Sequence, residues 1–243
     1  MKIFIDSANI AEIEKYLSWG ICDGVTTNPS ICLKCGVQKG TEGVKQRIIE
    51  IAELINPNPI SAEVTSDKIE EVISQAREYS KWAPNVVIKI TVTNRQGESL
   101  LPAIYQLTSE GISINVTAIT TFNQAILAAK ALKNGIEKAH LKPKYSFISI
   151  FGGRISEEHG VEHAFRVIKN VRKWLDFNKF SEIEIIVGSL RGPENVELWS
   201  RSGAHILTIP SDVVSKCLVS ARTKETVTQF INDAKKSMEE LEK

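Results

Sequence analysis

Val86-Val87-Ile88-Lys89-Ile90 decides the fold. Apart from its one lysine it is an unbroken run of β-branched residues, without the alternation that a half-exposed strand would show, so it reads as a strand buried on both faces. Similar short segments occur at Lys2–Asp6, Asp23–Thr27, Ile60–Val64, Ile112–Thr117, Tyr145–Ile150, Ile183–Val187 and His205–Ile209, beginning about every 29 residues. That interval holds one strand, one helix and two loops. Strands alternating with helices need crossover connections and hence a parallel sheet with helices outside it. Eight such units with no Pro/Gly-rich linker predict an α/β fold closed as one (β/α)8 barrel, a TIM barrel, over residues 1–243. An open doubly wound sheet is the second reading.

The helical patterns support the count. Ser7-Ala8-Asn9 precedes Ile10, Ile13 and Leu17, with Gly20 as a terminator. Ser66-Asp67 precedes the stripe Ile69, Val72, Ile73 and Ala76, and Phe122–Leu132 repeats the pattern. Asn134–Lys144 reads as a long connector on the face away from the chemistry. The last segment, Lys224–Lys243, carries Val227, Phe230, Ile231, Ala234, Met238 and Leu241 on one face of an otherwise charged helix. That stripe is expected to pack on the barrel itself or on a neighbouring subunit, and a homo-oligomer is expected.

Thirty Lys and Arg against 29 Asp and Glu leave a formal charge of +1, which argues against nucleic acid or an anionic membrane as the main partner. Only three consecutive apolar residues precede Asp6, too few for a secretion signal, and no run approaches the roughly 20 apolar residues of a membrane span. A cytoplasmic location is expected. The four cysteines suit reduced thiols there; Cys32 and Cys35 are the only close pair, and no second pair or paired histidines complete a zinc set. No metal or cofactor is expected.

A barrel does its chemistry where its strands end, so the polar residues at those positions carry the functional reading. They are Asp6, Thr26, Thr27, Asn28, Glu63, Lys89, Asn115, Thr117, Ser149, Arg154, Ser189 and Arg191. Burying an ammonium costs several kcal/mol unless it is paired or gives up its proton, and a neutral amine can attack a carbonyl to form a Schiff base. Lys89 is therefore either a catalytic nucleophile or a lysine paired with Asp6 or Glu63 for structural reasons. Carbinolamine formation, dehydration and carbon–carbon cleavage each move a proton, and Asp6 and Glu63 are the groups available. Arg154, Ser189 and Arg191, with glycines at 152, 153 and 188, suit a phosphate at the barrel mouth; taken singly the arginines read as surface ion pairs, and it is Lys89 that favours the phosphate. A phosphorylated carbonyl compound is the expected substrate.

Phe4-Ile-Asp-Ser-Ala-Asn9, Gly24-Val-Thr-Thr-Asn-Pro-Ser30, Ser61-Ala-Glu-Val64, Val87-Ile-Lys-Ile90, Asn115-Val-Thr117 and Asn123-Gln-Ala125 together resemble the transaldolases, in their short transaldolase and fructose-6-phosphate aldolase branch. The resemblance extends to about Pro210 and implies a metal-free aldol mechanism in a (β/α)8 barrel. It implies Lys89 as the Schiff-base lysine, Asp6 as acid/base, and Glu63 with Thr117 as the pair holding a catalytic water. It places Asn28, Asn115 and Ser149 on a dihydroxyacetone unit, and Arg154, Ser189 and Arg191 on a phosphate. Phe151 and Glu63 resemble the transferring enzymes, where the aldolases carry Tyr and Gln. Transfer of dihydroxyacetone from a ketose phosphate to an aldose phosphate is therefore expected. Release of free dihydroxyacetone, or sugar-phosphate binding without catalysis, are the alternatives. Thr91-Val-Thr93, Thr120-Thr121 and Ile148–Arg154 depart from the family pattern and leave the acceptor aldose open. His159 is expected to be solvated.

Overall fold

A computed structural model of the chain describes residues 1–37 and 40–241. In chain order its elements are β1 (Lys2–Asp6), α1 (Ile10–Ser18), β2 (Gly24–Thr26), α2 (Pro29–Lys34), α3 (Thr41–Ile55), β3 (Ile60–Glu63), α4 (Ile69–Tyr79), β4 (Val86–Thr91), α5 (Leu101–Ser109) and β5 (Ile114–Ile119). They continue with α6 (Phe122–Lys138), β6 (Ser146–Phe151), α7 (Gly152–His159), α8 (Val161–Phe177), β7 (Glu184–Gly188), α9 (Pro193–Ser200), β8 (Ile206–Pro210), α10 (Ser211–Cys217) and α11 (Ala221–Leu241). The strands close in sequence order into a parallel barrel, with β1 paired to β8 from Lys2–Ile206 to Asp6–Pro210. The expected closed (β/α)8 barrel is thus observed, and every strand lies within two residues of its expected bounds.

Side chains on a strand alternate between the helix layer and the barrel interior. Ile5, Ile88, Ile90, Ile148, Ile185 and Val187 belong to the large outer core that the helices cover. Phe4, Val87, Phe147, Ile186 and Ile206 point inward and form a separate apolar layer across the barrel, each nearly or fully buried. The Phe4 and Phe147 rings meet edge to face, 5.9 Å between centroids. Phe4 also fills the space beside Gly24, where an added Cβ would fall 2.6 Å from the Phe4 ring. This layer is the floor beneath the site.

Local chemistry explains the helix ends. Asn9 and Asn28 cap α1 and α2 by accepting from Glu12 N and Ile31 N, and Thr121 with Gln124 forms a full capping box on α6. α4 starts at Ile69 without a side-chain cap, because Ser66 bonds Glu71 and Asp67 bonds Arg95. The connector expected from Asn134 is partly helix. α6 runs on to Lys138, and Gly135 serves a close crossing over α5, where a Cβ would fall 2.6 Å from Thr108 Cβ.

The final helix begins three residues before its expected start; Glu242 and Lys243 at its expected end lie outside the described residues. Its apolar stripe is uncovered: Phe230 is 66 % exposed, and Val227, Ile231 and Met238 are exposed beside it. Leu218 and Val219, just before the helix, extend the exposed apolar surface. Among the described residues no helix is long and apolar enough to cross a membrane.

Candidate active site

Two residues beyond a floor residue on the same strand, the side chain again points inward, one layer higher. Phe4 leads to Asp6, Val87 to Lys89, Phe147 to Ser149, Ile186 to Gly188 and Ile206 to Thr208. The period of the strand therefore stacks a polar layer directly on the apolar one. On β3, β4 and β5, Glu63, Lys89 and Asn115 occupy directly paired positions, so the carboxylate, amine and amide stand side by side.

Above this layer opens a cavity of about 900 Å³ lined by Asp6, Asn28, Glu63, Lys89, Thr117, Ser149, Phe151, Arg154, Ser189 and Arg191. Asn115 is the one expected site residue outside that lining. It is fully buried and braces the layer, donating through Nδ2 to Ser61 Oγ at 3.0 Å and accepting at Oδ1 from Ser149 Oγ at 2.7 Å.

Lys89 is 5 % exposed, and its Nζ lies 3.0 Å from Glu63 Oε2 while donating to the Thr27 carbonyl at 3.1 Å. Of the two carboxylates expected to pair with it, the structure selects Glu63. Asp6 instead accepts from Thr26 Oγ1 at 2.6 Å. Burial pushes the Asp6 carboxyl above the usual carboxylate range; the Thr26 hydroxyl and the Lys89 charge oppose this, and Glu63 adds to it. A carboxyl held in that way is suited to exchanging a proton with a bound hydroxyl.

Thr117 is almost fully buried, and its Oγ1 has no hydrogen-bond partner among the described residues. Directly after it the β5–β6 register slips, and Ala118 adopts a left-handed φ of 59°. The bulge interrupts the regular ladder, which resumes at Ile119–Ile150, next to a hydroxyl that borders the cavity. Asn28 spends its Oδ1 on the α2 cap, 2.9 Å from Ile31 N, which fixes the side chain at the cavity edge.

At the mouth, Ser189 follows β7 with φ 63°, and its carbonyl turns onto Gly153, where any Cβ would overlap that oxygen. Gly153 thus lets the loop carrying Arg191 approach the helix carrying Arg154. Arg191 reaches Glu157 at 3.3 Å, an exposed pair of small energetic weight. His159 is exposed on α7, beside Glu158 at 3.6 Å, and does not line the cavity.

Thr208 and Ser61 were not singled out from the sequence, although with Thr26 and the Thr27 carbonyl they set the conformation of Asp6, Asn115 and Lys89. The signal for Thr208 was the inward period of β8, visible only once Ile206 is known to face the interior. Among the described residues, no group of three or more His, Cys, Asp or Glu side chains is placed to hold a metal ion.

The model of the transaldolase/fructose-6-phosphate aldolase family matches residues 3–243. The chain belongs to that family. A protein named probable transaldolase from Streptococcus agalactiae serotype V is 39% identical, covering 96% of this chain and 97% of the relative. One of the same name from Lactiplantibacillus plantarum is 37% identical, covering 97% of each. The crystal structure of KGPDC from Streptococcus mutans shares the fold alone, with a TM-score of 0.52 at 12% identity over 88% of each chain. As a member of the transaldolase/fructose-6-phosphate aldolase family, the chain is an enzyme of transaldolase type.

Proposed function

We propose that this enzyme moves a dihydroxyacetone unit from a ketose phosphate to an aldose phosphate through a Schiff base on Lys89. The observation that carries this reading is the buried amine 3.0 Å from Glu63 at the base of a cavity whose mouth presents Arg154, Ser189 and Arg191. The ketose carbonyl meets Lys89 Nζ once the ammonium has passed its proton to Glu63. Addition gives a carbinolamine, and loss of its hydroxyl as water gives the iminium. Glu63 and Thr117 flank that water, the Thr117 hydroxyl bringing an unspent hydrogen bond.

The iminium draws the electrons of the adjacent carbon–carbon bond as it breaks. The hydroxyl on the departing carbon becomes an aldehyde, giving its proton to Asp6. The three carbons remain on Lys89 as an enamine, held by Asn28 and by Ser149, which Asn115 braces from beneath. An incoming aldose phosphate, its phosphate on Arg154, Ser189 and Arg191, is attacked at its aldehyde carbon. Asp6 returns the proton to the new hydroxyl, and hydrolysis of the iminium frees the lysine. Phe151 borders the cavity and has no proton to donate, so nothing at that position speeds protonation of the enamine and premature release.

Borohydride added with fructose 6-phosphate should trap a three-carbon adduct on Lys89, located by peptide mapping. No adduct would favour binding without catalysis, and product analysis with and without an acceptor aldehyde separates transfer from release. The exposed stripe on α11 fits a second copy of the chain, so the enzyme works as a homo-oligomer, and its reaction on phosphorylated sugars belongs in the cytoplasm.

A further inference from the structure

Cys32 and Cys35 sit three residues apart at the end of α2, on the wall between two cavities. Cys35 lines the active-site cavity. Cys32 is 4 % exposed and lines a neighbouring cavity of about 330 Å³ that shares Asn28, Pro29 and Glu63 with the site. The helix end is firmly built: Cys35 N donates to Ile31 O at 2.9 Å, Gly36 takes the left-handed turn at φ 68°, and Val37 N returns to Cys32 O at 3.0 Å. Leu33 and Lys34 between the two cysteines are helical, and Cys35 is the C-cap at φ −83° and ψ 9°. Residues three apart on a helix have Cα atoms about 5 Å apart, inside the roughly 4.4–6.8 Å that a disulfide spans.

The two thiols differ in access. Burial, with Cys35 beside it, pushes the Cys32 thiol up against the opposing charge of Arg47, whereas Cys35 is only half-buried and borders solvent in the cavity. Cys35 is thus the sulfur that meets an oxidant first, and Cys32 the one that resolves it.

We infer that Cys32 and Cys35 form a reversible redox site that lowers the activity of the neighbouring catalytic centre when oxidised. The Cys35 thiolate attacks a low-molecular-weight disulfide, expelling one thiolate and leaving a mixed disulfide. Cys32 then gives up its proton and attacks the Cys35 sulfur, expelling the second thiolate. Two protein thiols are oxidised to one disulfide, and the small disulfide is reduced to two thiols. To reach Cys35, the Cys32 sulfur must leave its place in the apolar core beside Glu63. The strain falls on α2, whose Asn28, Pro29, Ser30, Ile31 and Lys34 line the catalytic cavity.

The full-length enzyme, first reduced, is incubated with oxidised and reduced glutathione in varied ratio. Peptide mapping should show loss of two hydrogens on the segment holding both cysteines. Turnover should fall roughly ten- to a hundredfold, the scale of a shift of up to about 1 Å in a positioning wall, and recover with dithiothreitol. Cys32→Ser and Cys35→Ser, each compared with its own reduced form, should lose that response, and Cys22→Ser/Cys217→Ser should keep it. Failure to form the 32–35 disulfide, or an equal fractional loss of activity in both single variants and the unmodified enzyme, overturns the inference. A disulfide that forms without changing turnover overturns its regulatory part. The mass measurement does not depend on the proposed reaction, so failure of one is distinguishable from failure of the other.

Discussion

Glu63 and Lys89 hang from directly paired positions on neighbouring strands, with Oε2 and Nζ 3.0 Å apart and both side chains largely buried. Each leaves the other uncompensated when removed. Lys89→Met should abolish the borohydride-trapped adduct and cut turnover by more than about 10³-fold, since covalent chemistry has no substitute there. It should also lower Tm, because Met fills similar volume but strands the carboxylate. Adding Glu63→Gln to Lys89→Met should recover about 1 kcal/mol, or roughly 2–4 °C in a chain of this size. The same change alone should destabilise the unmodified protein. Equal effects of Glu63→Gln in both backgrounds would show that the pair carries no coupling.

Asp6 makes a prediction whose sign depends on pH. Its carboxyl is raised by burial above its ordinary value of 3.8, so the native state holds the proton more tightly than the unfolded chain. The resulting cost to stability sets in as pH rises through 3.8 and is complete above the folded value. Asp6→Asn should therefore match or exceed the parent in Tm at pH 7, with the difference vanishing in acid. Turnover should still fall by about 10²–10⁴-fold, as for loss of a general acid/base. Thermal melts across pH check the first claim and steady-state rates the second.

Phe151→Tyr places a phenol on the cavity wall and should raise the fraction of dihydroxyacetone released free when no acceptor is present. An unchanged product ratio would remove Phe151 from the account of transfer.

Arg154→Ala and Arg191→Ala should each raise KM for a phosphorylated acceptor by about 10–100-fold, the worth of a charged hydrogen bond. Glyceraldehyde, which lacks the phosphate, should be used almost as before. Parallel losses on both aldehydes would point to a damaged mouth instead of a lost phosphate contact.

Deleting the chain after Ser220 should leave the barrel folded and reduce its assembly state, read by sedimentation of the full and shortened chains. An unchanged sedimentation profile would show that the α11 stripe does not join copies.

The strands were readable because each is buried on both faces, which leaves a plain apolar run and makes Lys89 conspicuous. What escaped was information held between elements. Asn134-Gly135 has the composition of a helix breaker, yet Gly135 answers the approach of Thr108 from α5, a contact without local signature. Ser66 and Asp67 are good caps by type but are taken by Glu71 and Arg95. Thr208 and Ser61 look like ordinary strand hydroxyls until register shows that they face inward. The catalytic cluster was legible because charged residues are costly inside a barrel; its supporting hydroxyls were not, because they are cheap anywhere.

The Phe4 ring over Gly24 has a kinetic corollary. With the base of the chamber plugged by aromatic and branched side chains, everything that reaches Lys89 must enter and depart by the same doorway. The cleaved aldehyde has to vacate before its successor arrives, so initial-rate plots against donor at several acceptor concentrations should give parallel lines.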